Sequence, residues 1–393
     1  MIDELVKMVG LWADENKVLQ AGTMVIAGVS GGVDSVCLLH VLKQLAKERA
    51  FSITAVHVNH MLRGNEANGD ESFVACLCKE WEIPIKIFTE NVKALSEREG
   101  LSVEEAGRLV RYDCFQKVLN ETGAKHIAVA HHAQDQAETV FLNLLRGSGL
   151  DGLCGMEQIQ GQIIRPFLTT DKSEIYNYIK RNGLIYRTDS SNLDNIYARN
   201  AIRNIIFPMI EKETGKSIVP PLLRASLLLK SDRDYLNQLA LKHFNSIEDQ
   251  KEQGTIILNR ESFLKLHPAI AGRILRMAWE KITGAVKGLE AKHVEAVFEL
   301  ARKIGTGKSV NWPGGLRVKA DYNRLVITKK EVNQARPFSF DIQLPCTEVT
   351  VNEKYRITAR VYTKDEYIKT FGYIVKMKEN SLVQVFDYNK INK

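Results

Sequence analysis

Short, mainly apolar runs alternate with segments of helical spacing along the first half of this chain. Helical spacing covers about 33–48, 68–81, 104–121 and 134–146, and the four runs are Thr23–Val29, Ser52–Val58, Ile83–Phe88 and His126–Ala130. Such an alternation is typical of parallel βαβ units, whose strands are buried on both faces. The sequence therefore predicts an α/β fold with a doubly wound, Rossmann-like parallel sheet. Ligands bind at the carboxyl ends of the strands in such sheets.

The pattern changes near residue 210. The polar stretch Glu211–Ser217 and the following Pro220-Pro221 predict a domain boundary. Helical patterns then cover about 221–247, 267–282 and 290–303, and strand-like segments include Leu316–Val318, Arg324–Thr328, Glu348–Val351 and Tyr355–Val361. We therefore predict an α/β domain over 1–212, a mainly helical domain over 213–332 and a partial β-rich domain over 333–393.

A glycine-rich loop directly follows the first predicted strand and opens the first predicted helix. Its residues are Ser30, Gly31, Gly32, Val33, Asp34 and Ser35. The glycines let backbone N–H groups approach a phosphate, and the helix start adds unpaired N–H groups and the positive end of a dipole. Asp34 would repel a phosphate unless a cation lies between them, which indicates Mg²⁺. The alternative is an ordinary helix N-cap turn, in which Ser, Gly and Asp are common.

A second polar cluster lies where the second predicted strand ends. Its members are His57, Asn59, His60 and Arg63. The ligand-facing edge of the sheet favours a nucleotide contact for this cluster. The alternative is that the histidines are hydrogen-bonded structural residues at a strand end.

Two arginines, Arg108 and Arg111, are three residues apart on a predicted helix and share a face. They could pair with Glu104 and Glu105 on the same helix. A positioned arginine could also stabilise negative charge that develops on a reacting phosphate.

A dense polar cluster begins where the fourth predicted strand ends. His131 and Asp135 are four residues apart, as are Gln134 and Glu138. The spacing predicts that they share one cleft and hold a substrate or take part in catalysis. Metal binding by His131 and Asp135 is the alternative, although no third ligand is evident. Arg146 stands at the end of this predicted helix and is a candidate contact for nucleotide or RNA phosphate.

A turn-forming segment that contains Asp189 precedes a basic helical pattern with Arg199 and Arg203. Two arginines four apart on one face could follow an RNA backbone. The net charge of +7 agrees with a polyanionic partner, and a solvated basic face is the alternative.

The six cysteines include no C-x-x-C pair, which predicts buried, reduced thiols instead of a zinc or iron–sulfur site. The N-terminus lacks the features of a signal peptide, and no apolar stretch is long enough to span a membrane. We therefore expect a cytoplasmic protein.

Together these motifs resemble the tRNA(Ile)-lysidine synthetase family of PP-loop ATP pyrophosphatases. SGGVDS, HVNHMLRG, EEAGRLVRY, HHAQDQAET, RGSG, DSSN and RNAIRN stand in this chain in that family's order. The resemblance is tight over about residues 20–210 and looser through the WPGG segment. SGG-x-DS alone would indicate only the wider PP-loop group.

The resemblance implies an ATP-dependent ligation of L-lysine to C2 of the wobble cytidine of the isoleucine tRNA with a CAU anticodon. The products are lysidine, AMP and pyrophosphate, and codon recognition changes from AUG to AUA. ATP and Mg²⁺ would bind at the 30–35 loop, with the metal near Asp34. The resemblance assigns catalysis to four residues, Asp34, Arg111, His131 and Asp135. It implies a lysine contact for Glu138, tRNA binding by the helical domain, and a homodimer.

Two departures from the family pattern stand out. Many relatives carry a second aspartate where this chain has Gln134, which removes one charge from the cleft. Longer relatives also continue beyond a segment like Val385–Tyr388 into further basic β-structure, whereas this chain stops at Lys393. The resemblance therefore implies an incomplete final tRNA-binding module.

Three other functions remain open on the residues alone. A PP-loop tRNA thiolase is the nearest alternative, although such enzymes commonly use paired cysteines. The other two are an amide-forming ATP pyrophosphatase that acts on small molecules and a non-catalytic RNA-binding protein.

Overall fold

The computed structural model describes residues 3–62, 64–188, 198–252, 254–285, 288–303, 307–329, 346–352, 355–363, 365–366 and 369. The chain divides into two compact units. The first comprises Met1–Ile247 and Lys265–Met277, and the second comprises Glu248–Leu264 and Ala278–Lys393.

The first unit contains a six-stranded sheet. Its strands are β1 (Met24–Gly28), β2 (Ser52–Asn59), β3 (Ile85–Thr89), β4 (His126–Ala128), β5 (Ile159–Gln160) and β6 (Ile163–Ile164). Their order is β3-β2-β1-β4-β6-β5, with every pair parallel except β5 and β6. The order reverses between β1 and β4, which is where a doubly wound sheet forms its ligand crevice.

Eleven helices of the described residues belong to the first unit. They are α1 (Glu4–Glu15), α2 (Val33–Arg49), α3 (Asn65–Glu80), α4 (Val92–Glu99), α5 (Val103–Thr122), α6 (Ala133–Leu145), α7 (Leu150–Leu153), α8 (Lys172–Arg181), α9 (Ala198–Ala201), α10 (Phe207–Thr214) and α11 (Val219–Ile247). A π-helical turn, Ile202–Ile206, joins α9 to α10. The four predicted strands and the four helices between and after them are confirmed, and so is the α/β fold class. The hairpin of β5 and β6 and the helix α8 were not predicted.

Alternate residues of the central strands enter separate cores on the two faces of the sheet. Val25 and Ala27 pack in the core that contains α1, α2 and α8. Ile26 packs with α5 on the opposite face. The close approach of α5 requires glycine at the end of β1, because a Cβ atom on Gly28 would lie 2.6 Å from Cζ of Phe115. This packing sets the loop after β1 at the carboxyl edge of the sheet.

The second unit contains a five-stranded antiparallel sheet of order β7-β8-β11-β10-β9. The strands are β7 (Glu248–Glu252), β8 (Thr255–Asn259), β9 (Lys308–Asn311), β10 (Arg317–Asp321) and β11 (Arg324–Thr328). The sequence analysis identified β10 and β11 but not the other three. The charged β7 has no strand-like pattern, and it is a strand because it pairs with the buried β8.

Three helices accompany this sheet along the chain, and a hairpin follows it. The helices are α12 (Arg260–Lys265), α13 (Pro268–Thr283), which crosses the division between the units, and α14 (Ala291–Arg302). The hairpin consists of β12 (Cys346–Asn352) and β13 (Tyr355–Arg360), in agreement with the strand-like pattern there.

Five free cysteines have described side chains, and four of them, Cys37, Cys78, Cys114 and Cys154, are buried. The prediction of burial is wrong for Cys76, which is exposed because residues two apart on α3 point to different faces. None of the described helices is both long and apolar enough to cross a membrane.

Candidate active site

The glycine-rich loop is a compact turn between β1 and α2. The Ser35 hydroxyl donates to the Gly32 carbonyl at 2.9 Å and accepts from the Ser30 N–H at 3.2 Å. The Gly31 φ angle of +92° is one that residues with a Cβ rarely adopt. A Cβ on Gly31 would also lie 3.2 Å from Cγ2 of Val74. These contacts fix the turn that leads from the carboxyl end of β1 to the start of α2.

Asp34 lies in the first turn of α2 and has an unusual pair of carboxylate oxygens. Oδ1 is buried and has no hydrogen-bond partner among the described residues. Oδ2 lies 3.6 Å from Nε2 of His132. A buried anionic oxygen without a partner fits a cation, because oxygen ligands are what Mg²⁺ prefers. Asp34 therefore fits the role of a magnesium ligand at the start of α2.

The side chains of His57 and Asn59 form hydrogen bonds with other groups of the protein. Nδ1 of His57 lies 2.8 Å from the carbonyl of Val29, the residue before the glycine-rich loop. The Asn59 amide donates to Glu71 at 2.9 Å, and its oxygen accepts from the Met61 N–H at 3.0 Å. These bonds agree with the structural alternative for the strand end, and a nucleotide contact by either residue stays a prediction.

The other two members of that cluster have different outcomes. His60 lies near α5, where its Cε1 would be 4.0 Å from a Cβ on Gly107. Arg63 lies outside the described residues, and so does Asp189 of the later turn segment.

The second half of the site is the start of α6, where His132 is the N-cap residue. Its Nδ1 accepts from the Gln134 N–H at 3.2 Å, and Asp135 accepts from the His132 N–H at 3.0 Å. This reciprocal pattern is a capping box, and it fixes both side chains. The remaining nitrogen of His132, Nε2, lies 3.6 Å from carboxylate oxygens of both Asp34 and Asp135. The structure thus brings the glycine-rich loop and the 131–138 cluster together.

Glu138 is fully buried, one helical turn after Asp135. Arg199 Nε donates to it at 2.9 Å, and Arg203 donates from Nε at 2.6 Å and from Nη2 at 2.9 Å. Arg203 Nη2 also donates to Asp135 Oδ1 at 2.8 Å. Two carboxylates and two guanidinium groups therefore form one ion-paired network.

The π-helical turn explains how the two arginines reach these carboxylates. Ile202 and Phe207 are buried against Ala137 of α6, and the Phe207 ring packs edge-on against Phe141 at 5.5 Å. These contacts dock the segment onto α6 and direct Arg199 and Arg203 toward Glu138. The sequence analysis gave RNA phosphates as candidate partners of the two arginines, with a solvated basic face as the alternative. Their partners in the structure are carboxylates, and the RNA contact stays a prediction.

The ion-paired network and burial together determine the protonation states of Asp135 and His131. Burial acts to raise the pKa of Asp135, but the neighbouring His132 and Arg199 outweigh it and lower this pKa to about 2. Burial lowers the pKa of His131 to about 3, and its Nδ1 is buried without a partner among the described residues. Asp135 is therefore an anion and His131 a neutral imidazole near pH 7.

A second basic cluster lies between α5 and β6. The Arg108 guanidinium stacks over the Tyr112 ring at 4.8 Å. Arg165, at the carboxyl end of β6, is 1% exposed and donates to the Glu157 carbonyl at 2.7 Å. Both arginines contribute to the lowered pKa of His131, which places this cluster beside the site. Arg111 is exposed on α5, and its contact with a reacting phosphate stays a prediction.

Arg146 lies at the opposite end of α6 from His132. A helix of 13 residues is roughly 20 Å long, so Arg146 is remote from the glycine-rich loop. This distance leaves an RNA phosphate as the more suitable candidate partner for its exposed side chain.

Two protein-family models match this chain, one in the first unit and one mainly in the second. The model of the PP-loop domain matches residues 8–210, and the model of the TilS substrate binding domain matches residues 258–326. The tRNA(Ile)-lysidine synthase of Clostridioides difficile is 34% identical over 380 residues, which cover 96% of this chain and 81% of that protein. The enzyme of the same name from Caldanaerobacter subterraneus is 35% identical, with 97% and 83% covered.

The chain belongs to the tRNA(Ile)-lysidine synthase family.

A third member of the family, the tRNA(Ile)-lysidine synthase of Bacillus subtilis, is 32% identical over 351 residues, which cover 87% of this chain and 73% of that protein. Among solved structures, a U34-tRNA thiolase from Methanococcus maripaludis with a [4Fe-4S] cluster is 20% identical, with a TM-score of 0.47 over 58% of this chain and 78% of that one. Such a distant likeness carries no argument for the thiolase alternative.

For this family member, sequence reasoning missed two candidate site residues, His132 and Arg165. His132 stood inside a recognised motif, but its neighbour His131 was selected instead. Arg165 follows the short apolar strand β6 directly, and a charged residue in that position was the available signal. Within the described residues, no group of three or more His, Cys, Asp or Glu side chains has the arrangement of a metal site.

Proposed function

We propose that this chain ligates L-lysine to C2 of the wobble cytidine of an isoleucine tRNA with a CAU anticodon and converts ATP to AMP and pyrophosphate. The observation that carries the proposal is the meeting of the glycine-rich loop with the start of α6 through Asp34, His132 and Asp135. A phosphate-binding element and a charged substrate cleft then lie at one edge of the sheet. Membership of the lysidine synthase family supports the choice of substrate.

The phosphate chain of ATP would bind at the loop of residues 30–35. Backbone N–H groups at the start of α2 and the hydroxyl groups of Ser30 and Ser35 are the proposed donors. Asp34 would hold Mg²⁺ through its unpartnered Oδ1. The metal would reduce the negative charge on the phosphates.

The first chemical step would adenylate the tRNA. The cytidine O2 attacks the α-phosphorus of ATP, a new O–P bond forms, and pyrophosphate leaves with the electrons of the broken P–O bond. Negative charge that develops on the phosphate oxygens needs cationic or N–H partners. Arg111 is the proposed partner, and neutral His131 could donate or accept one hydrogen bond there.

The second step would replace the adenylate by lysine. The lysine ε-amine loses a proton and attacks C2, and AMP leaves with the C2–O bond electrons. Asp135 and Glu138 are the proposed acidic partners of the amine. Both are already paired with arginines, so we infer that lysine binds beside the network and does not neutralise a bare carboxylate.

We propose that the tRNA contacts the second unit and the basic surface of the first. The match to a substrate binding domain over 258–326 supports this, and so does the net charge of +7. Arg146 is a proposed phosphate contact, and Arg199, Arg203 and Asp189 remain proposed substrate contacts from the sequence. A homodimer is also part of the proposal, and light scattering of the purified protein would test it.

The deciding experiment is the transfer of labelled lysine to RNA. Unmodified isoleucine tRNA transcripts with wobble C or wobble U would be incubated with the protein, ATP and Mg²⁺. We expect label in the wobble-C transcript only, with one AMP released for each lysine. AMP formation without lysine incorporation would keep the ATP chemistry and overturn the proposed substrate.

A further inference from the structure

The buried imidazole of His132 joins the two halves of the site. The residue is 1% exposed and stands at the N-cap of α6. Its ring reaches both the first turn of α6 and Asp34 at the start of α2. The two helices follow different strands, so the contact of this side chain with Asp34 ties one to the other.

One hydrogen bond of the His132 ring indicates which nitrogen carries the proton. Nδ1 accepts the Gln134 N–H, so in the neutral ring Nδ1 is unprotonated and the N–H is on Nε2. That N–H faces Oδ2 of Asp34 and Oδ2 of Asp135, each 3.6 Å from Nε2. At this distance the contacts are electrostatic and not hydrogen bonds, and a positive N–H dipole next to two carboxylates reduces their mutual repulsion.

We propose that His132 is a positioning residue that holds Asp34 through Oδ2 and leaves Oδ1 directed to the cation of a bound nucleotide. The separate environments of the two oxygens support this, since Oδ2 faces the imidazole and Oδ1 is buried without a described partner. In this proposal His132 acts on the nucleotide only through Asp34. This inference rests on the proposed function, because it concerns the magnesium–nucleotide complex used there.

Two substitutions separate the capping role of His132 from its positioning role. In His132→Asn the amide oxygen can take the place of Nδ1, and asparagine is a favoured N-cap residue, but the side chain is too short to reach Asp34. In His132→Gln the amide nitrogen can approach the position of Nε2, while the cap is weakened. His126→Asn is the matched control, because His126 begins β4, the strand that precedes α6, and so lies at the end of that strand away from the site.

The measurements use the full chain and a nonhydrolysable ATP analogue with a methylene group between the α- and β-phosphates. Calorimetry with and without Mg²⁺ gives the Kd, and thermal unfolding gives the Tm. We expect His132→Asn to raise the Kd in Mg²⁺ at least tenfold with a small change in Tm. We expect His132→Gln to bind at least fivefold more tightly than His132→Asn, although its Tm falls by about 2–4 °C through the weaker cap.

The opposite order of affinities, with His132→Asn binding more tightly than His132→Gln, would overturn the proposal. If His132→Asn binds the magnesium–nucleotide complex like the His126→Asn control and His132→Gln does not, His132 is only a helix cap. A loss of affinity that is equal with and without Mg²⁺ would also contradict a role through Asp34. Failure of the proposed function is a separate result, seen as no lysine transfer by the unmutated protein whatever the binding data show.

Discussion

Replacement of Arg203 by alanine tests whether the arginine pair is structural or binds RNA. The substitution removes three hydrogen bonds of 2.6–2.9 Å, two to the fully buried Glu138 and one to Asp135. Breaking a buried ion pair costs about 3–5 kcal/mol. Arg199 keeps its bond to Glu138, and the Arg203 side chain is 21% exposed, so we expect about 2–3 kcal/mol. For a unit of this size that is a Tm decrease of roughly 5–10 °C.

Thermal unfolding of Arg203→Ala would be compared with that of Arg224→Ala, which removes an exposed arginine from α11. Glu138→Gln and the double variant complete a cycle, and the double variant should lose less than the two single losses together. A Tm equal to that of the control, with at least tenfold weaker tRNA binding and a shallower salt dependence, would refute the structural assignment. Arg203 would then be an RNA contact, as the sequence alone suggested.

Three further changes test the site. Asp34→Ala should abolish AMP formation and leave tRNA affinity within about twofold, because adenylation and RNA binding use different contacts. A parallel loss of RNA binding in a filter assay would show that the loop has another role. Gly31→Ala should raise the Kd of the ATP analogue at least tenfold and lower the Tm, because φ is +92° and the new Cβ would lie a tight 3.2 Å from Cγ2 of Val74. Wild-type values would mean that the loop tolerates a Cβ. The pKa of His131 is about 3 in the folded state and about 6.5 in the unfolded state, so the stability present above pH 6.5 is lost as the pH falls toward 3. Between pH 7 and 5 the wild type should therefore lose up to about 2 kcal/mol of unfolding free energy that His131→Gln does not lose. Parallel curves of unfolding free energy for the two proteins over this range would contradict the lowered pKa.

The α/β unit follows closely from local patterns in the sequence. The mainly apolar runs become strands, which are buried on both faces in the central β1 and β2, and the segments between them have one apolar face for the sheet. The rule that parallel strands present their carboxyl ends at one edge then placed the glycine-rich loop and the 131–138 cluster together in advance. The second unit was less predictable, since all five residues of β7 are charged or amide and show no apolar alternation.

The sequence by itself determined the family, the first four strands with the four main helices between and after them, and the edge of the sheet at which the site lies. Only the tertiary structure decided which charges meet there. Glu138 and Arg203 are 65 residues apart, and His132 reaches an aspartate from another helix. Local periodicity contains no record of such pairs, because they depend on how Ile202 and Phe207 dock against α6 and on how β1 and β4 lie side by side. The selection of His132, next to the histidine that the motif had suggested, came from the orientation of a single ring in that packed environment.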